Sequence, residues 1–174
     1  MFVDSHCHLN YPGLIEDQAG AIARARASGV AAMVNISTRE SEWQDVIATA
    51  RSNAGIWASI GIHPHEADQH QGVDTAKLLA AIDDPKVIAI GETGLDYYYD
   101  KSDREQQRQS FRAHIAAART SGLPIIVHMR DAEEDAAAIL QDEMAKGSFG
   151  GVIHCFTSSQ DFAIMSLNLG FYIS

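Results

Sequence analysis

"LPIIVHMRDAEEDAAAILQDEMAKG", residues 123–147, reads as one strand followed by one helix. Leu123–His128 is a short apolar run, long enough for a strand and too short for a helix. The stretch after Asp131 is rich in alanine and helix-compatible. It starts acidic and ends with Lys146 and Gly147, as the helix macrodipole and a C-terminal glycine favour. The polar residues His128, Arg130 and Asp131 fall where strand gives way to helix. Chemistry at the C-terminal end of a buried strand is the signature of a parallel α/β protein.

The same unit recurs in both directions. "FVDSHC" (2–7) is β-compatible, and "EDQAGAIARARASG" (16–29) is helical with Gly29 just past its end. "VAAMVNI" (30–36) reads as a buried strand. "STRESEWQDVIATARSNAG" (37–55) opens with an apparent capping box, Ser37 to Glu40, and carries Trp43, Val46, Ile47 and Ala50 on one helical face. "IWASIGIHP" (56–64) is a third strand and "DTAKLLAAIDD" (74–84) a short helix with Leu78, Leu79 and Ile82. "KVIAIGE" (86–92) is the fourth strand. A second apparent capping box, Ser102 to Glu105, opens a helix through Phe111, Ile115 and Ala118 to Gly122. After the 123–147 unit come "GGVIHCF" (150–156), "SSQDFAIMSLNLG" (158–170) and the start of a seventh strand, "FYIS" (171–174). Continuous apolar strands alternating with helices imply a parallel sheet covered by helices. A doubly wound open sheet and a (β/α)8 barrel both fit, and the polar residues choose between them.

Those residues collect at strand ends. Strand one ends in His6 and His8, strand three in His63 with His65 beyond, strand four in Glu92, strand five in His128, strand six in His154. In a barrel all these ends converge on one face. His63 and His65 flank Pro64 and read equally as solvated turn residues. Arg130 suits a phosphate, or a structural pair with Asp131. Four histidines with one carboxylate exceed what a single catalytic zinc takes and suit two divalent cations sharing Glu92. Mixed nitrogen and oxygen ligation favours Zn2+ or Mn2+ over Mg2+.

Composition bounds the rest. The 174 residues suffice for one sizeable core, so residues 1–174 are expected to form a single domain. A net charge of −10 argues against a broad basic nucleic-acid surface, though bound cations can supply positive charge locally. No apolar run is long enough to span a membrane and no basic, then apolar leader opens the chain, which points to the cytoplasm. Cys7 and Cys155 each follow an adjacent candidate ligand, and strand alternation predicts both as buried packing thiols.

The blocks "VDSHCHL", "GIHPH", "IGETGLDYYYD", "IVHMRDA", "GVIHCF" and "LGFYIS", in this order, resemble those of the TatD family of metal-dependent deoxyribonucleases, in the amidohydrolase-like superfamily. The resemblance covers the whole chain. It implies a TIM-type (β/α)8 barrel, here represented through about strand seven, and a cytoplasmic enzyme hydrolysing DNA, often from the 3′ end. It further implies that His6 and His8 bind one metal and His128 and His154 another, with Glu92 bridging and catalytic. Mg2+, Mn2+ or Zn2+ would be the cofactors, DNA the substrate partner, and no membrane would be involved. His63, His65 and Arg130 are placed to meet substrate phosphate. The family's strand-eight "ETDAP"-like block, whose Asp ligates metal, has no counterpart in these residues. A fragment of a longer protein, monomeric at full length, is therefore expected. Two alternatives stay open: a hydrolase of a small ester, amide or phosphoester on the same site, and a metal-binding remnant without activity.

Overall fold

The computed structural model describes residues 1–174. Seven strands lie side by side: β1 (Phe2–Cys7), β2 (Val30–Ile36), β3 (Ile56–Ile60), β4 (Val87–Asp96), β5 (Ile125–Arg130), β6 (Gly151–His154) and β7 (Tyr172–Ile173). Every neighbouring pair is parallel and the spatial order equals the chain order. A doubly wound sheet reverses its order at a switch point, and this sheet has none. Sequential order is that of a barrel wall. Six helices connect the strands: α1 (Gln18–Ala27), α2 (Trp43–Ser52), α3 (Thr75–Ala81), α4 (Arg104–Ser121), α5 (Glu133–Ala145) and α6 (Gln160–Asn168).

Strand alternation assigns the two faces. On β5, Ile125, Val127 and Met129 join the main core, where the sheet meets Trp43, Val46, Phe111, Ile115 and Leu140 of the helices. The alternate residues Ile126, His128 and Arg130 face the other way, and Ile126 packs with Ile36 and Ala89 in a second, smaller cluster. On β4 the parity changes. Ala89 lies on the inner face, then the pairing register shifts between Ile90 and Thr93. Glu92, Gly94 and Asp96 consequently share the inner face with His128 and Arg130, while Leu95 enters the main core.

Several local expectations are corrected. Ser37 does not cap a helix: its Oγ accepts the Gly61 N–H at 3.0 Å, and α2 begins only at Trp43, after a 3-10 turn over Glu40–Glu42. Thr38 pairs with Glu42 instead, donating both its N–H and its hydroxyl to the carboxylate. At α4 the cap is Asp103, which accepts the N–H groups of Glu105 and Gln106; Ser102 donates to the His65 carbonyl at 2.9 Å. Strand β3 stops at Ile60, and Pro64–His70 forms a 3-10 helix. Cys155 is exposed, because β6 ends at His154 and a positive φ of 48° at Cys155 breaks the alternation. Cys7 is half-buried; its thiol donates to the Val34 carbonyl, and burial pushes its pKa up to about 12.

Candidate metal centre

Glu92 stands at the centre of the inner face, 3% exposed. One of its oxygens, Oε2, lies 3.2 Å from His6 Nε2 and 3.8 Å from His8 Nε2. The other, Oε1, lies 3.2 Å from His128 Nδ1 and 3.9 Å from His63 Nε2. Each oxygen of a single carboxylate thus faces its own pair of imidazoles. Two ligand groups result, His6–His8–Glu92 and His63–Glu92–His128, each with its donor atoms within 4.8 Å of one another. Burial pushes the Glu92 pKa up, but hydrogen bonds from His128 and His6 outweigh it and hold the group well below the usual carboxylate range.

Hydrogen bonds assign the ring protons. His8 Nδ1 lies 3.3 Å from the Ile36 carbonyl, which can only accept, so Nδ1 carries the proton and the Nε2 lone pair faces inward. That lone pair points at His6 Nε2, 3.2 Å away, and toward the Glu92 anion. His6 Nδ1 is buried without a partner. Two imidazole nitrogens and an anion converging on one point fit a divalent cation that takes the place of the shared proton, and the mixed donor set fits Zn2+ or Mn2+.

The second group is arranged differently. His63 Nδ1 accepts the His65 N–H at 3.2 Å, which leaves the ring proton on Nε2, the atom facing Glu92. Burial pushes the His63 pKa down to about 3, so this ring is a neutral hydrogen-bond donor. His128 directs Nε2 at Asp96 Oδ2, 2.9 Å away, and Nδ1 at Glu92. Burial lowers its pKa, yet the Glu92 and Asp96 carboxylates together raise it. With Nε2–H held by Asp96, Nδ1 is the atom a cation beside Glu92 would meet on displacing the proton shared with that carboxylate.

His154 lies outside both groups. It stacks face to face on His6, ring centroids 3.4 Å apart, and burial together with that neighbour pushes its pKa down to about 4. His65 hydrogen-bonds Asp96 Oδ2 through Nε2 at 2.8 Å. Arg130 has no carboxylate within 4 Å, Asp131 included, and lies over the Tyr98 ring at 4.1 Å.

Two residues escaped the sequence reading. Asp96 is fully buried, and burial raises its pKa, but the Tyr99 N–H and the His65 and His128 rings lower it further. Its signal was present: Asp96 follows Glu92 by four residues, the same-face spacing of a strand that continues past the glycines. His114, fully buried within α4, accepts the Ile62 N–H at 3.0 Å and donates to the Ser110 carbonyl at 2.7 Å. It thereby anchors the loop that carries His63. Its signal was its place at i+3 from Phe111 and i−4 from Ala118, on the apolar face of α4.

A helix-covered parallel wall in barrel order, with a histidine–carboxylate centre at the C-terminal strand ends, defines a TIM-type α/β protein. The chain belongs to the TatD related DNase family, whose model matches residues 3–174. It is 38% identical to the uncharacterized metal-dependent hydrolase YabD of Bacillus subtilis over 174 residues, all of this chain and 68% of that protein. It is 37% identical over 157 residues to the 3′-5′ ssDNA/RNA exonuclease TatD of Cronobacter turicensis, 90% of this chain and 59% of that one. The crystal structure of YjjV, a TatD homologue from Escherichia coli, superposes with a TM-score of 0.90 at 29% identity, covering 99% of this chain and 66% of that one. The chain thus spans roughly two thirds of the length of these relatives.

Proposed function

We propose that the protein is a metal-dependent hydrolase of DNA phosphodiester bonds, with Glu92 shared between two divalent cations. The observation that carries this is the division of one buried carboxylate between two histidine pairs. His6 and His8 would hold one cation with Glu92. His128 would hold the other, with His154, its register partner on the neighbouring strand β6. Such ions, when bound, lower the pKa of a water and offset the charge that develops on a leaving oxygen.

The protein's own groups do the positioning. The Ile36 carbonyl keeps the His8 lone pair turned inward, and Asp96 does the same for His128 Nδ1. His63 offers its Nε2–H to a substrate oxygen beside Glu92. Arg130, free of any carboxylate, is available to a phosphate. His65 steadies Asp96. The name of the Cronobacter relative supports a nucleic-acid substrate attacked from the 3′ end, and two free thiols agree with a cytoplasmic setting.

The test is metal add-back on end-labelled DNA. Protein stripped with EDTA should be inert, and Mn2+, Zn2+ or Mg2+ should restore cleavage in wild type but not in Glu92→Gln. Cleavage that persists in EDTA, or undiminished turnover by Glu92→Gln, would overturn the proposal. Turnover of small esters with none of DNA would keep the centre and replace the substrate.

A further inference from the structure

Strand β3 leaves the ladder after Ile60, and Gly61, Ile62 and His63 carry the chain on to the 3-10 helix over Pro64–His70. Outside the ladder their backbone N–H groups need acceptors from elsewhere. Gly61 donates to Ser37 Oγ at 3.0 Å, Ile62 to His114 Nε2 at 3.0 Å and His63 to the Thr38 carbonyl at 2.8 Å. Ser37 and Thr38 follow β2. His114 instead comes from α4, whose Phe111 and Ile115 lie in the main core. At the end of this segment His63 accepts the His65 N–H on Nδ1 and turns Nε2 toward Glu92 Oε1, 3.9 Å away.

The chemistry of His114 suits this one bond. It is fully buried on the apolar face of its helix, a position that an aliphatic side chain would fill as well for packing alone. The Ser110 carbonyl, 2.7 Å from Nδ1, can only accept, so Nδ1 carries the ring proton. Nε2 therefore presents a lone pair, and the Ile62 N–H takes it. A neutral imidazole accepts at one end and satisfies its other end within its own helix, so that no polar atom of the ring is left unpaired.

We propose that His114 is a positioning residue for His63: by fixing the Ile62 N–H it sets the direction in which His63 presents its Nε2–H beside Glu92. The inference rests on the role given to His63 in the hydrolysis proposed above. Without the bond, the Ser37 and Thr38 anchors and the His6–His8–Glu92 group stay in place. The loss then falls on how His63 meets a substrate oxygen, and so on kcat, where a misplacement of about 1 Å costs up to about a hundredfold.

The experiment joins NMR of the nitrogen-labelled protein, with diamagnetic Zn2+ present, to cleavage kinetics on end-labelled DNA. Wild type should show a coupling through the hydrogen bond between the Ile62 amide nitrogen and His114 Nε2, and a His63 ring protonated at Nε2 alone. His114→Gln, whose amide both accepts and donates, should keep that ring state and turn over within about threefold of wild type. In His114→Leu the His63 ring should exchange between its two tautomers. Its kcat should fall about tenfold or more, while KM and Zn2+ affinity stay within about threefold. His114→Met takes its place if the leucine variant does not fold. Absence of the coupling in wild type, a leucine variant with an unchanged His63 ring or with wild-type kcat, or a glutamine variant as impaired as the leucine one overturns the positioning role. A wild type that cleaves no DNA sinks the proposed reaction instead, and the NMR signals then decide the positioning by themselves.

Discussion

Glu92 carries a charge that burial by itself would neutralise, and the imidazoles around it keep it ionised. Replacing it with Gln keeps the shape and removes the anion. Loss of a supporting partner to a ligand already costs 10- to 100-fold (about) in metal affinity or activity. Glu92→Gln should therefore lower metal affinity by more than about 100-fold, read by calorimetric titration with Mn2+. His114 makes a separate prediction. Burial holds its pKa at about 4 in the fold, against 6.5 when exposed. The folded state therefore binds fewer protons than the unfolded chain between these values. Its contribution is fully present above pH 6.5 and is lost as pH falls toward about 4, a change worth roughly 3 kcal/mol. Urea unfolding across that range should show a smaller loss of stability in His114→Gln than in wild type, and identical pH profiles would contradict the assignment. His128 and His154 were legible because each follows an apolar run, and His6 and His8 because their i, i+2 spacing puts them on one face at a strand end. Asp96 and His114 were missed although spacing marked both: Asp96 needs β4 to run on past its glycines, and His114 is a polar residue on the apolar face of α4.

At the scale of elements, β4 and β5 are held at close range. A Cβ on Gly94, whose φ is +137°, would strike the His128 carbonyl oxygen across the ladder. Gly94→Ala should cost about 3 kcal/mol or more, measured by chemical denaturation. At the start of α4, Asp103→Ala should cost about 1 kcal/mol through lost capping, while Ser102→Ala should leave the helix cap intact. Element order, type and the apolar faces of α2 and α4 were readable from periodicity, and Trp43, Val46, Ile47, Ala50, Phe111, Ile115 and Ala118 are all buried. Caps were not, because serine and aspartate one residue apart compete for the same orphan N–H groups and the chain's approach angle chooses. Cys155 failed for a related reason: alternation holds only while the strand lasts, and β6 ends one residue earlier.

Across the whole molecule, sequential parallel order brings the ends of strands widely separated in sequence to one rim. Topology alone therefore brings residues from β1 through β6 together, whereas the sharing of Glu92 between two histidine pairs depends on side-chain geometry. With a net charge of −10, the proposed cations would provide the positive field for the proposed polyanionic substrate. A cation that binds only the folded chain also stabilises it by mass action, by about 2.7 kcal/mol at a hundredfold excess over Kd. Wild type should accordingly melt higher with Mn2+ than with EDTA, and Glu92→Gln should not. No helix is long and apolar enough to cross a membrane. The most direct measurement is an anomalous difference map from crystals grown with Mn2+. Two peaks, each within about 2.2 Å of a different Glu92 oxygen and the first also touching His6 and His8, are predicted. Peaks elsewhere, or none beside Glu92, would contradict a shared carboxylate as the centre of the site.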